Sequence, residues 1–365
     1  MTPFEKIKQL PWPLIGIILT ISLLGLVMLY SAANGSFYPW AFKQSLRLIF
    51  GIFIMILVAM VDIRKWINIA YILYGIALFL LVLVEFLGFV GMGAQRWLDL
   101  YIFNLQPSEL MRIAILLAFA RYFYNKDYHD FKKWYFLIPP LLMLVVPILL
   151  VCRQPDLGTA MLLLFSACAI FFVSGIHYGY FIGSGAIALS LAPIFWNFLH
   201  DYQKNRILNF LTPERDPTNT GYHVTQSKIA LGSGGFWGKG FLKGTQSHLN
   251  FLPEKQTDFI FTMYSEEFGF FGGCLLILLY AIWLFYSLEI AISARHRFGQ
   301  ILGIGIVASF FVYVFINIAM VTGLVPVVGI PLPFFSYGGT ALITLLISQG
   351  ILMSIYLNNK RRNFS

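Results

Sequence analysis

Apolar stretches long enough to cross the ~30 Å hydrocarbon core of a bilayer recur along the whole chain, separated by short polar connections. About ten can be marked, at 12–32, 42–61, 67–90, 106–123, 135–152, 157–174, 180–199, 258–291, 299–322 and 335–357. The pattern predicts an all-α polytopic membrane protein with about ten transmembrane helices, organised as one domain over residues 1–365. The eighth run is too long for one perpendicular crossing, so its first turns are expected to project outward or the helix to tilt strongly. The one long hydrophilic connection, 200–257, lies between the seventh and eighth runs. Aromatics and glycines punctuate it (Tyr202, Phe210, Tyr222, Phe236, Trp237), which argues against disorder, and a short interfacial helix is expected around Tyr222 to Leu231.

Composition agrees with the pattern: 59% of residues are hydrophobic and 11% charged, and the mean hydropathy is +0.77, beyond what one soluble core needs. The first run is long enough to span and more spans follow it, so it does not read as a cleavable signal peptide. Cys152, Cys168 and Cys274 are dispersed without CxxC spacing and read as inert thiols, with no zinc site or disulfide framework suggested. The net charge of +9 is a topology signal before it is a nucleic-acid signal, because the basic residues fall in short loops. With both termini cytoplasmic, one side collects Lys6, Lys8, Arg64, Lys65, Arg121, Lys126, Lys132, Lys133, Arg295, Arg297, Lys360, Arg361 and Arg362. The opposite short loops carry chiefly Lys43, Arg96 and Arg153. That places 200–257 outside. Its basic residues (Lys204, Arg206, Arg215, Lys228, Lys239, Lys243, Lys255) outnumber its acids (Asp201, Glu214, Asp216, Glu254), which fits an anionic partner outside the membrane, or an ordinary solvated loop.

Candidate chemistry concentrates in LPEKQTDFIFTMYSEEFGFFGG, Leu252 to Gly273. Asp258 stands where polar loop becomes apolar helix, with Glu266 and Glu267 further in; such acids are costly enough at a membrane to suggest function, although an N-cap aspartate is the structural alternative. GSGGFWGKG, Gly232 to Gly240, lacks the strand, helix and GK[ST] ending of a nucleotide loop. Its amides can still cradle a phosphate with Lys239 or Lys243 nearby, or simply form tight turns. In QPSELMR, Glu109 and Arg112 share a helical face, as a structural ion pair or as the lining of a polar cavity. In RQPDLGT, Asp156 sits in the first turn of the next span, where the helix dipole favours it. PVVGIPLPFFSYGG, Pro326 to Gly339, is either a re-entrant segment or an outer turn. The six histidines are scattered, so no Ser/His/Asp set and no metal cluster emerges. The tally suits general-base chemistry by an exposed carboxylate on an anionic lipid substrate.

Together these motifs resemble the SEDS family (shape, elongation, division, sporulation), its RodA branch more than its FtsW branch. The likeness covers nearly the whole chain: GAQRW at Gly93 to Trp97, QPSE at Gln106 to Glu109, QPDLGTA at Gln154 to Ala160, YQKNRILNFLTPERDP at Tyr202 to Pro217 and GYHVTQSKIALGSGG at Gly221 to Gly235. It continues through GKGFLKGTQSHLNFLPEKQTDFIF at Gly238 to Phe261 and PVVGIPLPFFSYGGT at Pro326 to Thr340. GTQ at Gly244 to Gln246 favours the RodA branch. The resemblance implies a ten-span peptidoglycan glycosyltransferase that polymerises lipid II at the outer face of the bacterial cytoplasmic membrane, partnered by a class B penicillin-binding protein. The family's TDFIF aspartate is essential and maps onto Asp258, which is expected to act as the catalytic base on the acceptor sugar, with undecaprenyl pyrophosphate leaving from the donor chain. Candidate substrate-binding residues are Glu109, Arg112, Arg206, Lys228, Lys239, Lys243, Trp97 and Asp156; the expected partners are lipid II, undecaprenyl-linked glycan and membrane lipids, and no nucleic acid. No cofactor is called for, and a divalent cation such as Mg2+ or Mn2+ assisting pyrophosphate departure is left open. Arg112 departs from the family's usual lysine and binds as a planar fork, which changes the geometry available there. A lipid II flippase and a non-catalytic scaffold for the penicillin-binding protein are the alternatives.

Overall fold

A computed structural model describes residues 3–91, 94–99, 104–126, 133–198, 201–212, 220–249, 251–252 and 254–361. Gly93, Lys132, His200, Glu214, Arg215, Asp216 and Arg362, used above, lie outside the described residues. The helices are α1 (Pro3–Lys8), α2 (Trp12–Ala32), α3 (Trp40–Ala59), α4 (Ile63–Leu87), α5 (Pro107–Phe123), α6 (Ile138–Arg153) and α7 (Leu157–Ser174). They continue with α8 (Tyr178–Phe198), α9 (Asp201–Leu211), α10 (Thr220–Ser233), α11 (Thr245–His248), α12 (Ile260–Ile292), α13 (Arg297–Thr322) and α14 (Thr340–Arg361). Eight helical segments are long and apolar enough to cross a membrane, and Tyr178–Ile194 within α8 is a shorter apolar stretch. The remaining apolar run of the sequence is α5, of 17 residues, which carries Glu109, Arg112 and Arg121. The chain is a multi-pass membrane protein, and helices suit that setting because they satisfy their own backbone groups.

The helix α5 is the centre of the bundle: it packs against α4, α7 and α13, and it is buried from Pro107 to Ala120 except at Leu110. The described side chains of α8, by contrast, are exposed almost throughout. Lys6, Arg121 and Arg297, three of the short-loop cations grouped by their spacing in the sequence, meet the bundle at one end. There Lys6 Nζ donates to Met60 O at 2.7 Å and Arg121 Nη1 to Asn68 O at 2.8 Å. At the same end Arg297 Nη2 reaches Ser174 O at 3.4 Å and Asn359 Nδ2 donates to Ser293 O at 2.9 Å.

Two features at the opposite end are not legible as periodicity. A small antiparallel sheet, β1 (Phe89–Gly91), β2 (Ala94–Asp99) and β3 (Asn104–Leu105), joins α4 to α5. Its strands are too short to show alternation. The expected helix in the long connection is α10, but it packs into the bundle instead of only lying on it. Ser227 is fully buried, donates to Val321 O at 2.8 Å and shares a 2.7 Å hydrogen bond with the Thr262 hydroxyl.

The over-long eighth run is resolved by a break. At Gly269 the backbone leaves the helix (φ 70°, ψ −167°), so the residues from Ile260 to Phe268 form a separate outward segment of α12. The 235–240 turn is spliced into that break. Lys239 N and Gly240 N donate to the Glu266 and Glu267 carbonyls, each at 3.0 Å, while Phe270 N and Phe271 N donate to Gly235 O and Phe236 O at 2.8 and 3.2 Å. A Cβ on Gly269 would lie 2.3 Å from Gly238 N, and one on Gly238 would lie 2.1 Å from Glu267 O. Gly269→Ala therefore combines a left-handed φ with a backbone clash, a cost of about 2 kcal/mol or more. We expect the melting temperature in detergent to fall by roughly 5 °C; an unchanged melting temperature would show that the splice is not rigid.

Candidate active site

Asp258 is not a helix cap. The N-cap of α12 is Phe259, with no side-chain cap hydrogen bond, and Asp258 precedes it on a stretch of backbone whose carbonyls are each held from outside. Tyr337 N donates to Gln256 O at 2.9 Å, Ser336 Oγ to Thr257 O at 2.6 Å and Asn317 Nδ2 to Asp258 O at 3.0 Å. Asn317, fully buried on α13, also donates to Ile330 O at 2.6 Å. Ser336 in turn accepts from Leu332 N at 2.7 Å, and its carbonyl accepts from Gln44 Nε2 of α3 at 3.0 Å. The Pro- and Gly-rich segment 326–339 is thus irregular backbone held inside the protein. It reaches the carboxylate itself at Gly329 (φ 73°), where a Cβ would lie 3.4 Å from Asp258 Oδ2.

The Asp258 side chain is half-buried, and among the described residues no group donates a hydrogen bond to its carboxylate. Burial pushes its pKa up to about 6, aided by the nearby charges of Glu254 and Asp156 and opposed by those of Arg96 and Arg206. Desolvation and like charges raise a carboxyl pKa, and the two guanidiniums hold part of that rise back. Asp156 caps α7, accepting from Thr159 N at 3.1 Å, Thr159 Oγ1 at 2.8 Å and Gln106 Nε2 at 3.0 Å. It therefore has a sufficient structural role and still contributes to the field at Asp258. Trp97 sits half-buried on β2, paired with Phe89 of β1.

Arg96 is the residue that sequence reasoning left among the loop charges. On β2 beside Trp97, it acts on Asp258 electrostatically, and its buried Nε has no hydrogen-bond partner among the described residues. The available signal was its place: an arginine on the side of the membrane where the other short loops carry few cations.

Of the remaining candidates, only Arg206 acts on the carboxylate among the described residues. Glu109 and Arg112 form a 3.2 Å ion pair and are 3% and 1% exposed. Arg112 also donates to Ser309 Oγ at 3.2 Å and lies over the Tyr313 ring, while Glu109 accepts from Tyr313 Oη and from Thr344 Oγ1 at 3.2 Å. This buried network ties α5 to α13 and α14, with Arg112 Nε left without a hydrogen-bond partner among the described residues. Lys239 is committed to Glu266 at 2.8 Å and Thr245 Oγ1 at 2.7 Å. Glu266 also accepts from Gln246 N, Ser247 N and Ser247 Oγ at 2.9, 3.2 and 2.8 Å. Glu267 accepts from Ser31 Oγ at 2.5 Å and meets His248 Nε2 at 3.1 Å. Both acids anchor the connection, and the amides of Lys239 and Gly240 serve the α12 break instead of an anion. Lys243 is exposed. Lys228 extends across Gly323, where a Cβ would meet its Cε at 2.1 Å, and so places a cation at the C-terminus of α13. Arg206, on α9, is the one cation of the long connection among those acting on Asp258. Among the described residues no group of three or more His, Cys, Asp or Glu side chains is arranged to hold a metal ion.

Eight helices long and apolar enough to cross a membrane define a multi-pass membrane protein, with the half-buried Asp258 just ahead of α12. The chain belongs to the FtsW/RodA/SpoVE family of cell cycle proteins, whose model matches residues 11–361. It is 45% identical over 319 residues, 85% of this chain and 84% of the relative, to the peptidoglycan glycosyltransferase MrdB of Escherichia coli K12. In structure it resembles a chain of a peptidoglycan synthase complex that coordinates polymerization and crosslinking, with a TM-score of 0.84 and 29% identity over 96% of this chain and 98% of that one. Thermus thermophilus RodA, a rod shape determining protein, matches with a TM-score of 0.72 and 27% identity over 95% of this chain and 96% of that one.

Removing one partner of the Glu109–Arg112 pair strands a buried charge, which costs roughly 3–5 kcal/mol. Glu109→Ala is expected to lower the melting temperature in detergent more than Glu109→Gln, whose single amide oxygen keeps one acceptor, for Tyr313 or for Arg112 and Thr344. Equal melting of both variants and wild type would show that the network carries no stability.

Proposed function

We propose that this chain is a peptidoglycan glycosyltransferase of the RodA type, joining lipid II into glycan strands for cell elongation and shape. The proposed setting is the outer face of the bacterial cytoplasmic membrane, with both termini inside, residues 1–365 forming one domain and 200–257 extracytoplasmic. The observation that carries the reading is Asp258: a clamped, half-buried carboxylate with a pKa near 6, flanked by two guanidiniums at the end opposite the basic face. A carboxylate with that pKa is largely ionised at neutral pH and is a better base than an ordinary aspartate.

In the reaction, Asp258 takes the proton of the acceptor's sugar 4-hydroxyl as its oxygen attacks the anomeric carbon of the donor chain. The bond from that carbon to the pyrophosphate oxygen breaks, and undecaprenyl pyrophosphate departs with the electron pair. Arg96 and Arg206 are the cations near enough to Asp258 to alter its titration, and they suit the charge that develops on the leaving group. Lys228 and Lys243 remain on the exposed rim, and Glu109 and Arg112 support the helices beneath the site. A class B penicillin-binding protein is the proposed partner, supplying the crosslinking. A flippase needs polar groups distributed across the bilayer, and the buried Glu109–Arg112 pair is closed to such a path.

Purified chain with its partner, the partner's own chemistry blocked, is expected to convert lipid II to polymer. Asp258→Asn should reduce the rate at least about 100-fold with the complex intact, since the amide keeps the shape and loses the base. Full activity in the variant removes Asp258 as base, and no polymer from folded wild type with competent lipid II returns the choice to transport or scaffolding.

The base form is required, so the rate should be present above about pH 6 and lost as the pH falls through that value. Arg96→Gln removes a charge that holds the pKa down, so the acid limb should move to higher pH. An acid limb that stays in place would exclude Arg96 from the field at Asp258.

A further inference from the structure

The turn spliced into α12 carries side chains that neither the site nor the bundle uses. Phe236 and Trp237 are 74% and 81% exposed, and each ring rests on a ring of α12 that is itself about two-thirds exposed. Phe236 meets Phe270 edge-on at 5.9 Å, and Trp237 meets Phe271 at 5.8 Å. In water this four-ring patch would be an unfavourable surface.

Its position along α12 identifies what covers it. From Phe270 to Leu288 the helix carries no charged residue, and Glu289 ends the run on an exposed position. At 1.5 Å per residue these roughly 19 residues span ~28 Å, close to one hydrocarbon core. Phe271, Leu275, Leu278, Ile282 and Phe285 form a continuous exposed strip at helical spacing down this span. The ring patch is the upper end of that lipid-facing strip, at the level where acyl chains give way to head groups, and Lys243 lies exposed a few residues along the turn. Aromatic residues with adjacent cations are the side chains that favour this boundary.

We propose that the turn Gly234–Lys243 is an interfacial anchor, resting in the bilayer boundary on the Asp258 side with Phe236 and Trp237 among the upper acyl chains and Lys243 among the head groups. Because its backbone is hydrogen-bonded to the Glu266 and Glu267 carbonyls, the anchor fixes the height of the outward segment of α12, and with it the height of Asp258 above the lipid. Its occupant is the lipid itself, and a membrane helix of another protein is the competing occupant that the test must exclude.

The test uses the full chain in lipid nanodiscs, alone and bound to its penicillin-binding partner. The emission of Trp237 is obtained by subtracting that of Trp237→Phe from wild type, since the chain has eight tryptophans. Lipids brominated high on the acyl chain are expected to quench this difference emission at least twofold more than lipids brominated near the chain end, in both preparations. Quenching by aqueous iodide with none by either brominated lipid would place the indole in water and overturn the proposal. Loss of lipid quenching on partner binding would assign the patch to that partner and equally overturn it. These readouts need no catalysis, so they stand or fall separately from the glycosyltransferase reading. As a second arm, Phe236→Ser with Trp237→Ser is expected to lower the polymerisation rate at least threefold in bilayers and leave it unchanged in detergent. An equal effect in both media would contradict a role in depth.

Discussion

Backbone that leaves helical geometry at membrane depth has to find every hydrogen bond within the protein, because the surrounding lipid offers none. This chain breaks that geometry twice near one surface, and each break is mended by a segment distant in sequence. At Gly269 the 235–240 turn supplies the missing donors and acceptors. Ahead of α12 the three carbonyls of Gln256, Thr257 and Asp258 are taken up by Tyr337, Ser336 and Asn317. The two repairs lie on either side of the same short outward helix, so the chain between Gln256 and Phe271 is fixed at both ends. The Asp258 carboxylate, which accepts no hydrogen bond among the described residues, is then positioned by its backbone.

That arrangement decides the chemistry available. A carboxylate tied into a salt bridge is a poor base, and one left fully buried and unpaired takes up a proton. Asp258 lies between these limits, with burial and two acids raising its pKa and two arginines lowering it, to about 6. Arginine suits the second role because it keeps its charge and presents a planar fork to an oxyanion. The acids deeper in the chain are instead tied into the protein: Glu266 is hydrogen-bonded at both oxygens, Glu267 at Oε1 and Glu109 at both oxygens. The distinction between reactive and structural acids here is one of hydrogen bonds, and it does not follow depth in the bilayer.

The helical architecture was legible because each crossing needs an apolar run of bilayer length, and every run marked in the sequence contains a helix, although the eighth is broken at Gly269 and the tenth begins in irregular backbone. The short-loop cations Lys6, Arg121 and Arg297, grouped by their spacing in the sequence, meet the bundle at one end. Asp258 was visible as an acid at a polar-to-apolar boundary. What the sequence did not disclose depends on contacts between distant residues: the β1–β3 sheet that carries Arg96, the splice at Gly269, and the commitment of Lys239 to Glu266. A glycine in a run such as FGFFGG signals a possible break, but the partner that repairs it lies some thirty residues upstream, beyond the reach of local pattern. Likewise Glu109 and Arg112 announced a pair by their spacing, whereas the closure of that pair beneath Tyr313 and Thr344 is a property of three helices together.

The proposed base chemistry requires Asp258 to be a partly desolvated carboxylate with an elevated pKa in the folded protein. Infrared difference titration of wild type against Asp258→Asn isolates the carboxyl band of this one residue. Its protonated C=O stretch is expected to be lost with a midpoint at about pH 6. A midpoint near the ordinary aspartate value of about 4 would contradict that chemistry, since the site would then hold a solvated acid with no feature that marks it as a base.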